Sequence, residues 1–342
     1  MNRRAAGSVT LQMQLRIVHM LADGQFHSGE KIADSLGVSR AAIWKHLSQI
    51  RERMGIDVFA VKGKGYKLSA SLELLDPDLS RSKLGDTARE LLSELEILAR
   101  IDSTNSYLLA LIPEGIASGY VCMSEQQTAG RGRMGRRWVS PFGSNIYLSI
   151  HWQYPLPIAE LSGLSLAAGV AVARCLESLG LEGIELKWPN DVLWQNRKLA
   201  GLLLEVSGEQ GGPSRIVLGL GLNCRIDREH AADIDQPWAD LSQVPGGDGL
   251  SRNTLVSSLL DHLLDTLNQF EREGLTPLIP AWKLYDSYLG KLVVVQMGAH
   301  RMEGVHQGID QNGALLLLQE GRIQTYYGGE ISLRAISQKM PN

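Results

Sequence analysis

The chain has 342 residues, 44% of them hydrophobic and 21% charged, with a formal net charge of −3. That length predicts two or three domains, and the apolar fraction can fill more than one core, which excludes a disordered acidic tail and a halophilic surface. Cys122, Cys175 and Cys224 stand far apart with no C-x-x-C spacing, so neither a zinc site nor a disulfide framework is expected, and a reducing cytoplasm fits.

The charge is uneven along the chain. Residues 1–70 hold eleven lysines and arginines against five acids, a net +6, which leaves −9 for residues 71–342. A basic head on an acidic body points the head at a polyanion. Arginines at the start precede no apolar core segment, and no run of about 18 apolar residues is apparent, so neither export nor a membrane span is expected.

In chain order, Leu11, Leu15, Val18 and Leu21 form a helical stripe over residues 10–21, followed by a turn at Asp23-Gly24. Ser28 can cap a second helix with Ile32, Ala33 and Leu36 inward, and Gly37 ends it. Ser39 can cap a third, in which Ile43, Leu47, Ile50 and Met54 recur at helical spacing. Val58–Val61 and Tyr66–Leu68 read as a hairpin around Lys62-Gly63-Lys64-Gly65. This order predicts a winged helix-turn-helix over residues 1–70. Its third helix would enter the major groove, led by Ser39, Arg40, Trp44 and Lys45, while Lys62, Lys64 and Lys67 of the wing neutralise phosphates. Winged helices also dock proteins, but the local charge favours DNA.

Asp76-Pro77-Asp78, within Leu74–Ser82, marks a boundary. Beyond it, Glu96–Ile101, Gly119–Ser124, Asn145–Trp152, Val192–Trp194, Lys198–Val206 and Arg215–Leu220 read as strands. Pro157–Leu179 and Ser251–Glu273 read as helices. The mixture predicts an α+β body over 71–286 with a mixed, mainly antiparallel sheet. Residues 287–342 turn all-β, with strands at Leu292–Gln296, Gly304–Ile309, Ala314–Leu318 and Arg322–Tyr326, and suggest an SH3-like β-barrel.

Gly130-Arg131-Gly132-Arg133-Met134-Gly135-Arg136-Arg137-Trp138 contains G-x-G-x-x-G, but the dinucleotide fingerprint must open a helix, and here Pro141-Phe142-Gly143-Ser144 and a strand follow. Four arginines on three glycines instead describe a mobile loop that closes over phosphates, or else a solvated basic loop. Lys187-Trp188-Pro189-Asn190-Asp191 sets one cation beside a rigid turn. Lys198-Leu199-Ala200-Gly201 opens a strand, with Gly201 leaving room for a close neighbour. Gly219-Leu220-Gly221-Leu222-Asn223 ends a strand. Asp102-Ser103-Thr104-Asn105 precedes a helical run over 106–111, where a plain N-cap is the commoner meaning.

Taken together in this order, and with Arg252-Asn253-Thr254-Leu255 and the Gly328–Arg334 segment near the end, these motifs resemble the bifunctional biotin–protein ligase and biotin operon repressor family over nearly the whole chain. Met134 departs from the arginine expected there. The resemblance implies that biotin and ATP, with Mg²⁺, give biotinyl-5′-AMP, and that a lysine of a biotin carboxyl carrier protein then takes the biotin. It implies Ser103, Thr104, Asn105, Gln127, Arg131, Gly132, Arg133 and Lys187 around biotin. Lys187, Arg133 and Arg131 would be catalytic, with Lys187 bridging the biotin carboxyl and the α-phosphate. Asn190, Asn223 and Trp238 would meet the adenylate. No protein-held metal is implied. An adenylate-bound homodimer would bind operator DNA and repress biotin synthesis. A lipoate or octanoate ligase, a regulator without catalysis, and a ligase without DNA binding are the rival readings.

Overall fold

The computed structural model describes residues 2–208, 212–328 and 331–335; Gly329 and Glu330 of the terminal motif lie outside the described residues, as do residues 336–342. The chain opens with helices α1 (Asn2–Leu21), α2 (Gly29–Leu36) and α3 (Arg40–Met54), then the hairpin β1 (Val58–Val61) and β2 (Gly65–Leu68). Ser28 and Ser39 cap α2 and α3, each accepting a backbone N–H, and Gly37 ends α2 in the left-handed region. Ile43, Leu47, Ile50 and Met54 are buried as their spacing predicts. The stripe on α1 sits differently. Gln14, Ile17, Val18 and Leu21 face inward, while Leu11 and Leu15 are only half-buried. The Gln14 amide donates to Gln49 Oε1 at 2.9 Å, so a polar pair holds a place that the apolar pattern assigned elsewhere.

The expected boundary at 74–82 is not a loose linker. It contains α4 (Pro77–Ser82), capped by Asp76, and is followed by α5 (Asp86–Leu91). Just before α4, the Leu75 N–H donates to Glu125 Oε1 at 2.6 Å and the Asp76 N–H to Asn253 Oδ1 at 2.8 Å.

The central body is built on β3 (Glu94–Leu98), α6 (Thr104–Leu111), β4 (Tyr120–Ser124), β5 (Ile146–Tyr154), α7 (Leu164–Ser178), β6 (Ile184–Lys187), β7 (Asp191–Trp194), β8 (Arg197–Gly208), β9 (Ser214–Leu222), the single turn α8 (Arg228–Ala231), α9 (Arg252–Glu273) and α10 (Ile279–Tyr285). The seven strands lie in the order β3-β4-β5-β9-β8-β7-β6, with β3 and β4 parallel and every other pair antiparallel. The sheet is therefore mixed and mainly antiparallel. Helices α7 and α9 pack against each other and bury their apolar faces in the main core. Ile158–Ser178 is long and apolar enough to cross a membrane by length and composition alone. It is broken at Gly163, which has φ +83°, and Ala167, Ala168, Val170 and Val172 are buried in the protein.

The chain ends in β10 (Leu292–Met297), β11 (His300–Ile309), β12 (Leu315–Gln319), β13 (Arg322–Tyr326) and β14 (Ile331–Ala335), one antiparallel sheet in the order β13-β12-β11-β10-β14. This SH3-like unit is seated against the central body. The Trp188 indole N–H donates to Gly313 O at 3.0 Å and Ser162 Oγ to Asn312 O at 2.7 Å. The Ser287 N–H donates to Leu186 O at 2.9 Å.

Candidate active site

Antiparallel pairing sets Gly201 directly opposite Gly221. No Cβ stands on that patch, and the Trp138 indole lies across it: a Cβ on Gly221 would come 2.4 Å from Trp138 Cε2. Gly201, which leaves room for a close neighbour, and Gly221, at a strand end, thus make a seat for one aromatic ring. At Gly219 a Cβ would fall 2.2 Å from Asn105 Oδ1, so the first glycine of the same motif admits the Asn105 amide. A cavity of about 990 Å³, partly open to solvent, lies over this patch.

One wall is the start of α6. Ser103 caps the helix by accepting from Ser106 N. Thr104 N–H donates to Gln127 Oε1 at 2.9 Å, and Ser149 Oγ sits 2.7 Å from Thr104 Oγ1 and 2.5 Å from Asn105 Oδ1. Asn105 Nδ2 donates to Glu205 Oε2 at 2.8 Å, and Arg131 Nη2 lies 2.9 Å from the same oxygen. The wall is a chain of short polar side chains of fixed direction. The Trp138 indole N–H, on a residue that lines the cavity, is buried with no partner in the protein, and buried polar groups are rarely left so.

The glycine–arginine loop is ordered as a small hairpin. Arg131 and Arg137 form a bridge, Gly132 N–H donates to Arg136 O at 2.7 Å, and Trp138 N–H to Gly130 O at 2.8 Å. Met134, at its tip, has φ 58° and is 56% exposed. The departure from the expected arginine therefore falls where the side chain can stay in solvent. Arg133 turns inward, and its Nη1 donates to Asn190 Oδ1 at 3.0 Å. Burial lowers its pKa, Asp191 nearby opposes that, and a guanidinium stays charged in any case.

Opposite the loop, Asp191 is held between two lysines. Lys198 Nζ lies 2.6 Å from Oδ1 and Lys187 Nζ 3.2 Å from Oδ2. Burial pushes the Asp191 pKa up, but Lys198 and then Lys187 more than reverse it, so its carboxyl is held below the usual range. One carboxylate between two ammonium groups leaves positive charge over for an anion. Sequence reasoning singled out Lys187. The structure adds Lys198, whose Nζ stands 5.3 Å from the centre of the Trp138 ring. Lys198 also lines a second, smaller cavity with Arg137, Asn223, Asp235 and Trp238. The loop carrying Trp238 pairs along the start of β8, with Lys198 N–H donating to Pro237 O and Ala239 N–H to Lys198 O, both at 2.9 Å. Lys198 and Arg137 are therefore the two cations that line both cavities, Lys198 the more deeply set of the two, with its side chain 16% exposed against 70%. The signal was present in the sequence, since Lys198 opens the strand motif that ends at Gly201, but nothing local shows that a strand-opening lysine meets Asp191.

The remaining expected residues are placed as follows. Asn190 Nδ2 donates to Leu202 O at 2.6 Å, so its oxygen faces Arg133. Asn223 Nδ2 donates to Ala239 O at 3.0 Å and holds the base of the Trp238 loop. Arg40, Trp44, Lys45, Lys62 and Lys64 are all exposed on the winged helix, far along the chain from the cavity, while Ser39 Oγ is committed to the Ala42 N–H.

Compared with known proteins, the chain is 44% identical over 321 residues to the bifunctional ligase/repressor BirA of Salmonella typhimurium, covering 94% of this chain and 97% of that one. The chain belongs to the bifunctional ligase/repressor family. The Escherichia coli member is 43% identical over 326 residues, with the same coverage of both chains. Three family models divide this ligase/repressor as its fold does. An HTH domain matches residues 13–67, the biotin/lipoate A/B protein ligase family residues 97–223, and the biotin protein ligase C terminal domain residues 288–334. Among solved structures, the biotin protein ligase from Aquifex aeolicus in complex with biotin and ATP superposes with a TM-score of 0.61 at 28% identity, covering 72% of this chain and all of that one.

Proposed function

We propose that this ligase/repressor condenses biotin with ATP to biotinyl-5′-AMP and passes the biotin to a lysine of a biotin carboxyl carrier protein. One observation supports this above the others: an excess of cations, Lys187, Lys198 and Arg133, gathered around the largely buried Asp191 carboxylate beside a wall of short polar side chains. Ser103, Thr104, Asn105 and Gln127 would take the ureido ring, whose donors and acceptor must all be met in a dry pocket. Arg131, Gly132 and Arg133 would close over the phosphate, and Asn190, Asn223 and Trp238 would flank the adenosine. In this reading the bridge between the biotin carboxyl and the α-phosphate belongs to Lys198, the well-buried one of the two cations that line both cavities, and Lys187 supports it through Asp191. Such a site works by positioning two anions and neutralising developing charge. Among the described residues, no group of three or more His, Cys, Asp or Glu is placed to hold a metal. Mg²⁺ would accordingly arrive with the ATP phosphates, as that ion commonly does. Biotin-dependent exchange of pyrophosphate into ATP tests the reading. Exchange dependent on lipoate instead would overturn it.

The loop contacts set the lifetime of the intermediate. Arg133→Gly removes the guanidinium that faces Asn190 and the cavity, and the adenylate is expected to leave about tenfold faster or more, the cost of losing one charged hydrogen bond. A filter-retention half-life equal to that of the unaltered protein would contradict the loop's role.

The same chain would repress biotin synthesis as an adenylate-bound homodimer, setting two winged helices on a two-fold operator. We place it in the cytoplasm and divide it at 1–70, 71–286 and 287–342. Arg40, at the first turn of α3, is expected to contact a base edge. Arg40→Ala should then weaken operator binding about tenfold or more, with little change on unrelated duplex, in a mobility-shift titration. Equal losses on both duplexes would reduce Arg40 to a phosphate contact.

A further inference from the structure

Trp44 is 65% exposed, second only to Leu284 among the large apolar side chains of the described residues. It stands on α3, whose other large apolar residues, Ile43, Leu47, Ile50 and Met54, are all buried. The indole is a large apolar surface, and association would remove it from water. One turn away stand Arg40 and Ala41 on one side and the buried Leu47 and half-buried Ser48 on the other, and the indole between them stays mostly exposed.

The polar groups near it are already engaged. Ser39 Oγ accepts from the Ala42 N–H, and Ser48 Oγ donates to Trp44 O at 3.2 Å. Arg51 lies two turns further on the same flank, and its Nη2 donates to Val58 O at 2.6 Å in the first wing strand. Trp44 thus occupies the wing side of the helix, bordered by the exposed charges of Arg40 and Lys45.

The partner must suit both features, a basic module of net +6 and one apolar group projecting from it. Duplex DNA does. On the major-groove edges of the four base pairs the only apolar group is the C5-methyl of thymine. We propose that Trp44 reads a thymine methyl, so that this reader helix recognises one position of each half-site by apolar contact. The proposal rests on the reading of the winged helix as an operator binder, and its test separates the two. A second copy of this chain or a protein partner would cover the indole without any dependence on thymine.

The test uses the full chain loaded with biotin and ATP. Duplexes that it retains from a random pool supply the probe. Each thymine of the retained sequence is replaced in turn by deoxyuridine, which removes only the methyl, and binding is titrated with the unaltered protein, Trp44→Ala and Trp44→Leu. One thymine per half-site should lose about fourfold on methyl removal, the worth of burying one such group. Trp44→Ala should lose at least as much on the thymine duplex and show no further loss on the deoxyuridine duplex. Trp44→Leu, which keeps an apolar side chain, should recover part of the methyl dependence. Retention of specific duplex with no thymine whose methyl couples to Trp44 overturns the proposal and leaves operator binding standing. Failure to retain any duplex overturns operator binding, and this proposal with it.

Discussion

Lys198→Ala is expected to cut the rate of biotin-dependent pyrophosphate exchange by about 10²–10³-fold, the usual loss when one preorganised charge donor is removed from a reacting centre. The lysine is 16% exposed, lies 2.6 Å from Asp191 and stands over Trp138 at the start of a strand in the middle of the sheet. Its position is thus set by the sheet and not by a loop. Removing it leaves Asp191 with a single lysine, Lys187 at 3.2 Å, and leaves only the exposed Arg137 as a cation lining both cavities. Lys187→Ala keeps the closer pair and the more deeply set of these cations, so its loss should be smaller by about tenfold. Both variants are expected to fold, since each retains one partner for the buried carboxylate. Equal exchange rates for Lys198→Ala and the unaltered protein would remove Lys198 from the chemistry. A larger loss for Lys187→Ala would return the bridging role to Lys187.

The second large effect concerns stability. Arg252, at the start of α9, is buried, and its Nη1 lies 2.9 Å from Glu125 Oε2. It also donates to Glu73 O at 2.6 Å and to Asn145 O at 2.8 Å. The Glu73 carboxylate in turn accepts from Ser251, from the Arg252 N–H and from the Asn253 amide. Burial raises the Glu73 pKa, but these donors outweigh it and hold its carboxyl below the usual value. One guanidinium therefore joins the stretch leading out of the winged helix, the strand end before Gln127 and the loop before β5. Arg252→Ala leaves Glu125 buried without its cation, and breaking such a pair costs about 3–5 kcal/mol. The calorimetric midpoint of the central body should fall by about 10 °C at 2–4 °C per kcal/mol. Glu125→Gln keeps an acceptor for the Leu75 N–H and should cost about 1–2 kcal/mol. A midpoint unmoved by Arg252→Ala would show that the network holds nothing together.

Local features of the chain were legible without coordinates. Ser28, Ser39 and Ser103 each cap the helix that their position suggests, because capping is decided within three residues. The hairpin β1–β2 and the strands β4, β5, β8 and β9 follow from runs of apolar and β-branched residues. Strand β6, helix α5 and helix α10 escaped notice, since each is seven residues or fewer and too short to show a period. The stripe on α1 was misplaced because a buried glutamine pair, Gln14 with Gln49, looks polar in one dimension.

The amino-acid sequence alone determined the order of three units and the basic third helix with its caps and buried face, since these depend on periodicity, charge and neighbours along the chain. Only the tertiary structure decided how the motifs meet. Gly201 faces Gly221 across two strands so that Trp138 can lie flat, and Lys198 and Lys187 converge on Asp191 from different strands. Register between strands is set by packing over the whole sheet, and no window of sequence contains it.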